Sequence, residues 1–165
     1  MSLKPWICSS GAVIDGPYRY SLWREWDPQY PRLLWVLLNP STADANCDDP
    51  TLRRCLAFTR SWSFGSLEMV NLYAWRSSIP RDLARVENPV GEENDRYICE
   101  AATRAAKIVV AWGAHGALHG RDRAVIAQLC QPLWCLGITR EGHPRHPLYI
   151  KKNTALCPLP ASARR

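Results

Sequence analysis

Four short segments, each mainly apolar and each followed by polar or loop-forming residues, constrain the fold of this chain more than any other feature. They are residues 33–38, 67–71, 108–112 and 133–137. Segments of this length and composition are typical of strands that are buried on both faces of a parallel sheet. Because ligands of open parallel sheets bind beyond the carboxyl ends of the strands, the residues that follow these segments are the first candidates for a functional site.

Helical patterns separate the four segments. The predicted helices lie at residues 51–61, 92–106 and 121–130. The first of them follows Asp49 and Pro50, an acid that can cap the helix and a proline suited to its first turn. The first 30 residues favour an antiparallel hairpin, with strands at 6–14 and 19–26 and a turn at Asp15-Gly16-Pro17.

The alternation of strands and helices from residue 33 onwards predicts a three-layer α/β/α fold around a central parallel four-stranded sheet, plus the N-terminal antiparallel hairpin. The whole chain, 1–165, is expected to form one domain, with the hairpin in 1–30, the α/β core in 31–150 and a frayed tail in 151–165. With 165 residues, 47% of them hydrophobic, the chain is long and apolar enough to bury one core.

Charge and hydropathy bear on partners and location. The net charge of +6 is compatible with a phosphate-bearing partner. No apolar run approaches the ~18 residues of a membrane-spanning helix, and the first five residues lack the apolar core of a signal peptide. These patterns predict a cytoplasmic protein without a membrane segment.

Cysteine and histidine spacing gives little support for a metal or disulfide framework. The seven cysteines are odd in number and include no C-x-x-C pair, so they are expected to be reduced and mostly buried. An iron–sulfur cluster needs about four converging thiolates, and the spacing alone does not decide whether they converge. His115 and His119 stand at helical spacing, but no carboxylate motif accompanies them. The sequence therefore predicts no cofactor and no metal.

The motifs at the predicted strand ends resemble, in their order, those of the uracil-DNA glycosylase superfamily. The matching segments are Asn39-Pro40, Leu56-Ala57-Phe58, Val70-Asn71, Ala111-Trp112-Gly113-Ala114-His115, and His143-Pro144 with Pro147-Leu148. The last motif carries one extra residue, because His146 precedes Pro147. A closer likeness is to an uncharacterised bacterial and phage domain family marked by Leu-Asn-Pro-Ser-Thr-Ala-Asp, here residues 38–44. With the spacing of the segments, the glycosylase resemblance implies a uracil-DNA glycosylase-like sheet of order 2-1-3-4.

The resemblance implies catalytic roles for Asn39 and His143. Cleavage of an N-glycosidic bond leaves positive charge on the sugar and negative charge on the departing base. The carbonyl oxygen of Asn39 can hold a water molecule in line with the sugar carbon. His143 can donate a hydrogen bond to the departing base oxygen.

Further residues are expected to bind the base and the nucleic acid. The expected base or substrate contacts are Pro40, Ser41, Phe58, Asn71 and Trp112, with Phe58 stacking on the base and Asn71 hydrogen-bonding to its edge. The expected nucleic-acid contacts are Arg145, Lys151 and Lys152 on phosphates and Leu148 and Tyr149 in the gap left by the flipped base. Taken alone, Phe58 on an apolar helix face is more often a core residue, and Asn39 and Asn71 are each about as often plain turn or strand-end caps.

These expectations lead to a DNA glycosylase-like hydrolase of DNA repair, which flips a damaged, mismatched or modified base out of single- or double-stranded DNA. Ser41 is small where many uracil-specific relatives carry a bulky residue, so a substituent on the pyrimidine ring is expected to be tolerated. Two alternatives stay open: a nucleic-acid-binding module without catalysis, and a hydrolase or transferase of free modified nucleotides.

Overall fold

The structure is a computed structural model that describes residues 2–164. Its strands are β1 (Ser9–Asp15), β2 (Tyr18–Glu25), β3 (Arg32–Leu37), β4 (Ser66–Asn71), β5 (Lys107–Val110), β6 (Leu133–Cys135) and β7 (Cys157–Pro158). Its α-helices are α1 (Pro50–Ser61), α2 (Asn94–Arg104) and α3 (Arg121–Gln128). Short 3₁₀ helices lie at Pro80–Arg85, Ala114–Gly120, Pro147–Tyr149 and Ala161–Arg164. The three predicted helices are confirmed, with ends within two residues of the predicted bounds.

The protein is a mixed α/β protein with a single mixed sheet of seven strands, in the order β1-β2-β4-β3-β5-β6-β7. Within it β4, β3, β5 and β6 are neighbours and pair in parallel. The hairpin of β1 and β2 is confirmed, but it does not stand apart from the sheet, because β2 pairs antiparallel with β4. The prediction of a four-stranded sheet is therefore wrong. Every residue of β4 is buried, and a neighbouring strand on that edge supplies partners for backbone groups that water cannot reach.

The predicted C-terminal tail also belongs to the sheet. Cys157 and Pro158 pair antiparallel with β6, and Leu159 is buried in the core with its N–H donating to the Leu133 carbonyl oxygen at 2.8 Å. Pro158 has no N–H to donate, which confines it to an edge strand. A two-residue strand that contains proline has almost no sequence signal, and this explains the error.

Alternation along β3 separates two hydrophobic clusters, one on each face of the sheet. Leu34 and Val36 pack into the cluster that contains buried residues of α2 and α3. Leu33 and Trp35 pack into the cluster that contains the buried face of α1. Side chains of a strand point to opposite faces at successive positions, so this single strand anchors both sides of the core.

The connections leave a crevice at one edge of the sheet. The chain that leaves β3 passes through α1 on one face, and the chain that leaves β5 passes through α3 on the other. The loops after neighbouring strands therefore diverge at the carboxyl ends of β3 and β5, where open α/β sheets bind ligands. Within residues 2–164, no helix has the length and apolar character needed to cross a membrane.

Candidate functional site

A pocket of about 620 Å³ lies beyond the carboxyl ends of the parallel strands. Its lining residues come from the segments 38–41, 49–51, 77–80, 112–115 and 139–149. These segments follow β3, β4, β5 and β6 and include the first turn of α1. The volume falls in the range of sites for small molecules and cofactors.

Asn39 lines this pocket with one end of its amide fixed. Its Nδ2 donates to the carbonyl oxygens of Ser77 at 2.8 Å, Pro40 at 3.1 Å and Trp75 at 3.5 Å. The loop after β3 is thereby tied to the loop after β4. Within the described chain no donor is bonded to the Asn39 Oδ1, so this carbonyl oxygen is available to a ligand or a water molecule.

His146 lines the pocket, as His115 does, and the expectation that His143 borders it is wrong. His143 belongs to a tight turn, in which the Thr139 N–H donates to the His143 carbonyl oxygen at 2.7 Å and the His143 N–H donates to Thr139 Oγ1 at 3.1 Å. The chain then returns to the sheet, where the Arg145 N–H donates to the Gly137 carbonyl oxygen at 3.0 Å. This return carries His146, the extra residue of the motif, to the pocket wall.

The environment of His146 favours a neutral ring with a defined tautomer. Its Nδ1 accepts a hydrogen bond from the Leu148 N–H at 3.3 Å, so the neutral ring carries its proton on Nε2. Burial lowers the pKa of His146 below 6.5, and the opposing effect of Asp49 is smaller. Near neutral pH, His146 is therefore an uncharged hydrogen-bond donor through Nε2.

Behind the pocket lies a small inner cavity of about 30 Å³. The two spaces share Asn39, Ser41, Asp49, Thr51 and His146 as lining residues.

Asn71, the last residue of β4, also lines the inner cavity and is 1% exposed. Neither its Oδ1 nor its Nδ2 has a hydrogen-bond partner in the described part of the chain. The expectation that Asn39 and Asn71 face one crevice therefore holds at this inner cavity.

Arg19 is a cavity residue that sequence reasoning missed. It lies on β2, is 2% exposed, and donates from Nη1 to the Ala43 carbonyl oxygen at 2.8 Å. Its Nε has no partner, and it forms no ion pair among residues 2–164. Burial lowers the pKa of Arg19 to about 10, with Asp49 as the main opposing charge. It remains a cation at neutral pH, and its sequence signal is only a charged residue inside a β-rich run.

Phe58 and Pro40 lie outside the pocket. Phe58 is 2% exposed and belongs to the core under α1, where its ring centroid lies 5.2 Å from that of Trp62 and 6.3 Å from that of Trp35. The predicted stacking of Phe58 on a base is wrong, because this side of the amphipathic helix packs against the sheet. Pro40 is buried, and its carbonyl oxygen accepts from the Ser77 N–H at 2.9 Å.

Ser41, Trp112 and His115 line the pocket. Trp112 is 1% exposed, its Nε1–H has no partner in the part of the chain that the structure describes, and a Cβ added to Gly116 would overlap its ring. The sequence spacing of His115 and His119 suits two side chains one turn apart on a helix. The structure does not form that helical turn, because the backbone is non-helical at His119. No cluster of three or more candidate metal ligands occurs among residues 2–164.

Arg145, Leu148 and Tyr149 also line the pocket and are exposed, Tyr149 by 83%. Arg54 of α1 holds this segment in place by donating to the carbonyl oxygens of Pro147, at 3.2 Å, and Ile150. Lys151 and Lys152 follow on the surface and are not lining residues. Of the three cations expected at the mouth of the pocket, Arg145 lines its wall, and Lys151 and Lys152 do not.

Comparison with known proteins identifies a family and no further relative. Residues 19–148 match the family model described as "Protein of unknown function (DUF1643)". The match covers most of the chain, which therefore belongs to this family. No curated protein and no solved structure matches it.

Proposed function

We propose that this member of the DUF1643 family is a DNA glycosylase-like hydrolase, with a fold that is a variant of the uracil-DNA glycosylase-like arrangement. The observation that carries the proposal is the position of Asn39 and His146 on one pocket at the carboxyl ends of parallel strands. One offers a free carbonyl oxygen and the other an N–H donor. These are the two groups that hydrolysis of an N-glycosidic bond requires.

In this mechanism Asn39 orients a water molecule and does not accept its proton, because an amide has no useful basicity. The water attacks the sugar carbon as the bond to the base breaks, the bonding electrons leave with the base, and the proton that the water loses passes through solvent to the base anion. His146 donates from Nε2 to the base oxygen on which negative charge develops. Since Nδ1 is held by the Leu148 N–H, the ring is oriented before the substrate arrives.

The surroundings of the pocket support a nucleic-acid substrate. Arg145 lies at the wall where a flanking phosphate would pass, and the surface beyond it carries Lys151 and Lys152. Leu148 and Tyr149 form an exposed apolar projection on the same segment, suited to replacing a flipped base in the stack. The hydrogen bonds that Arg54 of α1 donates to this segment keep Leu148 and Tyr149 at the mouth of the pocket.

The test is a panel of oligonucleotides that contain uracil or 5-substituted pyrimidines, scored for abasic sites with the wild type, Asn39→Ala and His146→Ala. Loss of either group is expected to reduce cleavage about 100-fold or more. His143→Ala is the matched control and should retain cleavage, because His143 lies off the pocket. Equal loss in His143→Ala and His146→Ala would overturn the assignment, and absence of cleavage by the wild type on every oligonucleotide would overturn the hydrolase.

The size of the pocket favours one of the alternatives, an enzyme of free modified nucleotides, because about 620 Å³ can enclose a mononucleotide. Salt distinguishes the two substrates. Binding to DNA should weaken steeply as salt increases, whereas activity on mononucleotides should change little. Salt-sensitive DNA binding without any cleavage would instead identify a nucleic-acid-binding module.

A further inference from the structure

The inner cavity contains polar groups that its own walls leave unsatisfied. Three buried atoms, Arg19 Nε, Asn71 Nδ2 and Asn71 Oδ1, have no hydrogen-bond partner in the described chain. Both residues line the same cavity. A buried polar atom without a partner costs free energy, and a buried cation without a counter-ion costs more. We therefore expect a bound ligand to supply the hydrogen-bond partners that these atoms lack.

The positive charge of Arg19 indicates which kind of ligand group suits the inner cavity. A neutral carbonyl would accept the free N–H groups but would leave Arg19 without a charged hydrogen-bond partner. Asp49 lines the cavity and its charge stabilises the Arg19 cation, but its carboxylate accepts the Leu52 N–H at 2.8 Å and the Ala43 N–H at 3.3 Å as the cap of α1, and it forms no ion pair with Arg19 among residues 2–164. A charged oxygen acceptor from a ligand would bond to the free N–H groups of Arg19 and Asn71 and pair with the cation, and Asn71 Oδ1, itself an acceptor, would take a donor from the ligand or from water.

The volume of the cavity decides between two common oxyanions. About 30 Å³ holds one or two oxygen-sized atoms. A carboxylate presents two oxygens in one plane and fits this space. A phosphoryl group presents three terminal oxygens around a larger centre and does not.

We propose that the inner cavity is a subsite for a carboxylate carried by the ligand, which Arg19 binds from Nε and Asn71 from Nδ2. The ring that carries the carboxylate occupies the main pocket, which adjoins the inner cavity at the five lining residues that the two spaces share. Ser41, which is small and borders both spaces, leaves room for the substituent to pass. The inference rests on the proposed function in taking that ring to be a nucleobase, and it makes Arg19 the residue that selects for an acidic substituent.

The experiment is calorimetric titration of the full chain at pH 7.5 with three free bases: 5-carboxyuracil, its neutral isostere 5-carbamoyluracil, and uracil. The wild type is expected to bind the carboxylate at least about tenfold more tightly than the amide. Arg19→Met should remove this preference and leave uracil binding unchanged. Arg123→Gln, which loses an exposed cation of α3 outside both cavities, is the matched control and should keep the preference.

A second variant keeps the test decisive if Arg19→Met fails to fold. Asn71→Asp places a negative charge in the cavity and should weaken binding of 5-carboxyuracil at least about tenfold more than it weakens binding of uracil. Equal binding of carboxylate and amide by the wild type, or binding of none of the three bases, overturns the proposal, as does a preference that survives in Arg19→Met.

The outcome is separable from that of the proposed function. A carboxylate preference without cleavage of any oligonucleotide supports the subsite and refutes the glycosylase. Cleavage of uracil-containing DNA together with equal binding of carboxylate and amide supports the glycosylase and refutes the subsite.

Discussion

Two buried arginines on the same strand have opposite surroundings. Arg24 and Arg19 both belong to β2, and both reach the loop between β3 and α1. Arg24 donates from Nε and Nη2 to Asp48 at 3.1 and 2.9 Å, and also bonds to the carbonyl oxygens of Trp23, Asp44 and Cys47. The Arg19 side chain has one hydrogen bond, to the Ala43 carbonyl oxygen, and no ion-pair partner in the described residues. The fold supplies Arg24 with a paired carboxylate and several hydrogen-bond acceptors, but it leaves Arg19 Nε without a partner in the described residues.

Two buried asparagines repeat the contrast. Asn94 donates from Nδ2 to the carbonyl oxygens of Asn71 and Leu72 at 2.9 and 3.0 Å, and so fixes α2 to the end of β4. The side chain of Asn71 itself has no partner in the chain that the structure describes. Asn94 Oδ1 also lacks a partner among residues 2–164, but Asn94 lines neither cavity and its Nδ2 holds the scaffold, whereas Asn71 lines the inner cavity and has no side-chain bond. The two kinds of residue should respond differently to substitution.

The largest effect is expected for Arg24→Met, which should lower the free energy of unfolding by about 3–5 kcal/mol. The change leaves Asp48 buried without its counter-ion, and Asp48 Oδ2 already lacks a partner among residues 2–164. Urea unfolding followed by tryptophan fluorescence measures the change. A loss below about 1 kcal/mol would mean that Arg24 is no more structural than Arg19.

Asn94→Ala should lower the free energy of unfolding by about 1–3 kcal/mol. In this variant the buried Asn71 carbonyl oxygen loses the Asn94 donor, and the Leu72 carbonyl oxygen keeps only the bond from Arg121 Nε at 2.7 Å. Asn71→Ala is the matched comparison by the same unfolding measurement, and it should cost less because no side-chain bond is lost. A greater loss for Asn71→Ala would contradict the distinction between the two asparagines.

Arg19→Met should change the free energy of unfolding by no more than about 1 kcal/mol in either direction. The bond to the Ala43 carbonyl oxygen is lost, but a buried, unpaired cation is removed as well. Unfolding in urea at pH 7 measures the balance. Destabilisation as large as that of Arg24→Met would show that Arg19 is a scaffold residue.

The smallest effect is expected from the ionisation of His146, which borders the same cavity as Arg19. Burial lowers the pKa of His146 from 6.5 in the folded protein, so the unfolded chain binds the proton first as pH falls. Stability should therefore decline as pH falls below 6.5, more in the wild type than in His146→Gln. Parallel stability curves for the two proteins between pH 7 and pH 5 would contradict this.

The elements of this fold could be predicted because their signals are local. Asp49 and Pro50 begin α1 as their types predict, with Asp49 Oδ1 accepting the Leu52 N–H. The attachment of the hairpin and of β7 to the sheet could not be predicted, because strand pairing depends on which edge remains open after the helices pack. β7 has only two residues and carries no periodicity.

The site could be predicted in part for the same reason. The positions of Asn39, Ser41 and Trp112 follow from the ends of strands, which the sequence marks clearly. Choosing between His143 and His146 required the path of the turn at Thr139, which sets where each ring lies. Arg19 comes from a strand outside the predicted core, and nothing in its neighbours indicates that its charge lacks a partner.

The two edges of the seven-stranded sheet differ in length but share a property. At one edge β7 ends after two residues and includes Pro158, which cannot donate a backbone hydrogen bond. At the other edge β1 is longer, but its pairing with β2 is interrupted by a register shift between Val13 and Ile14. A regular, unpaired edge is a template on which another chain can add a strand, and both features make a poor template. Both edges are therefore less suited to pairing with a strand of another chain, which lowers the aggregation risk that a wide sheet behind the pocket would otherwise carry.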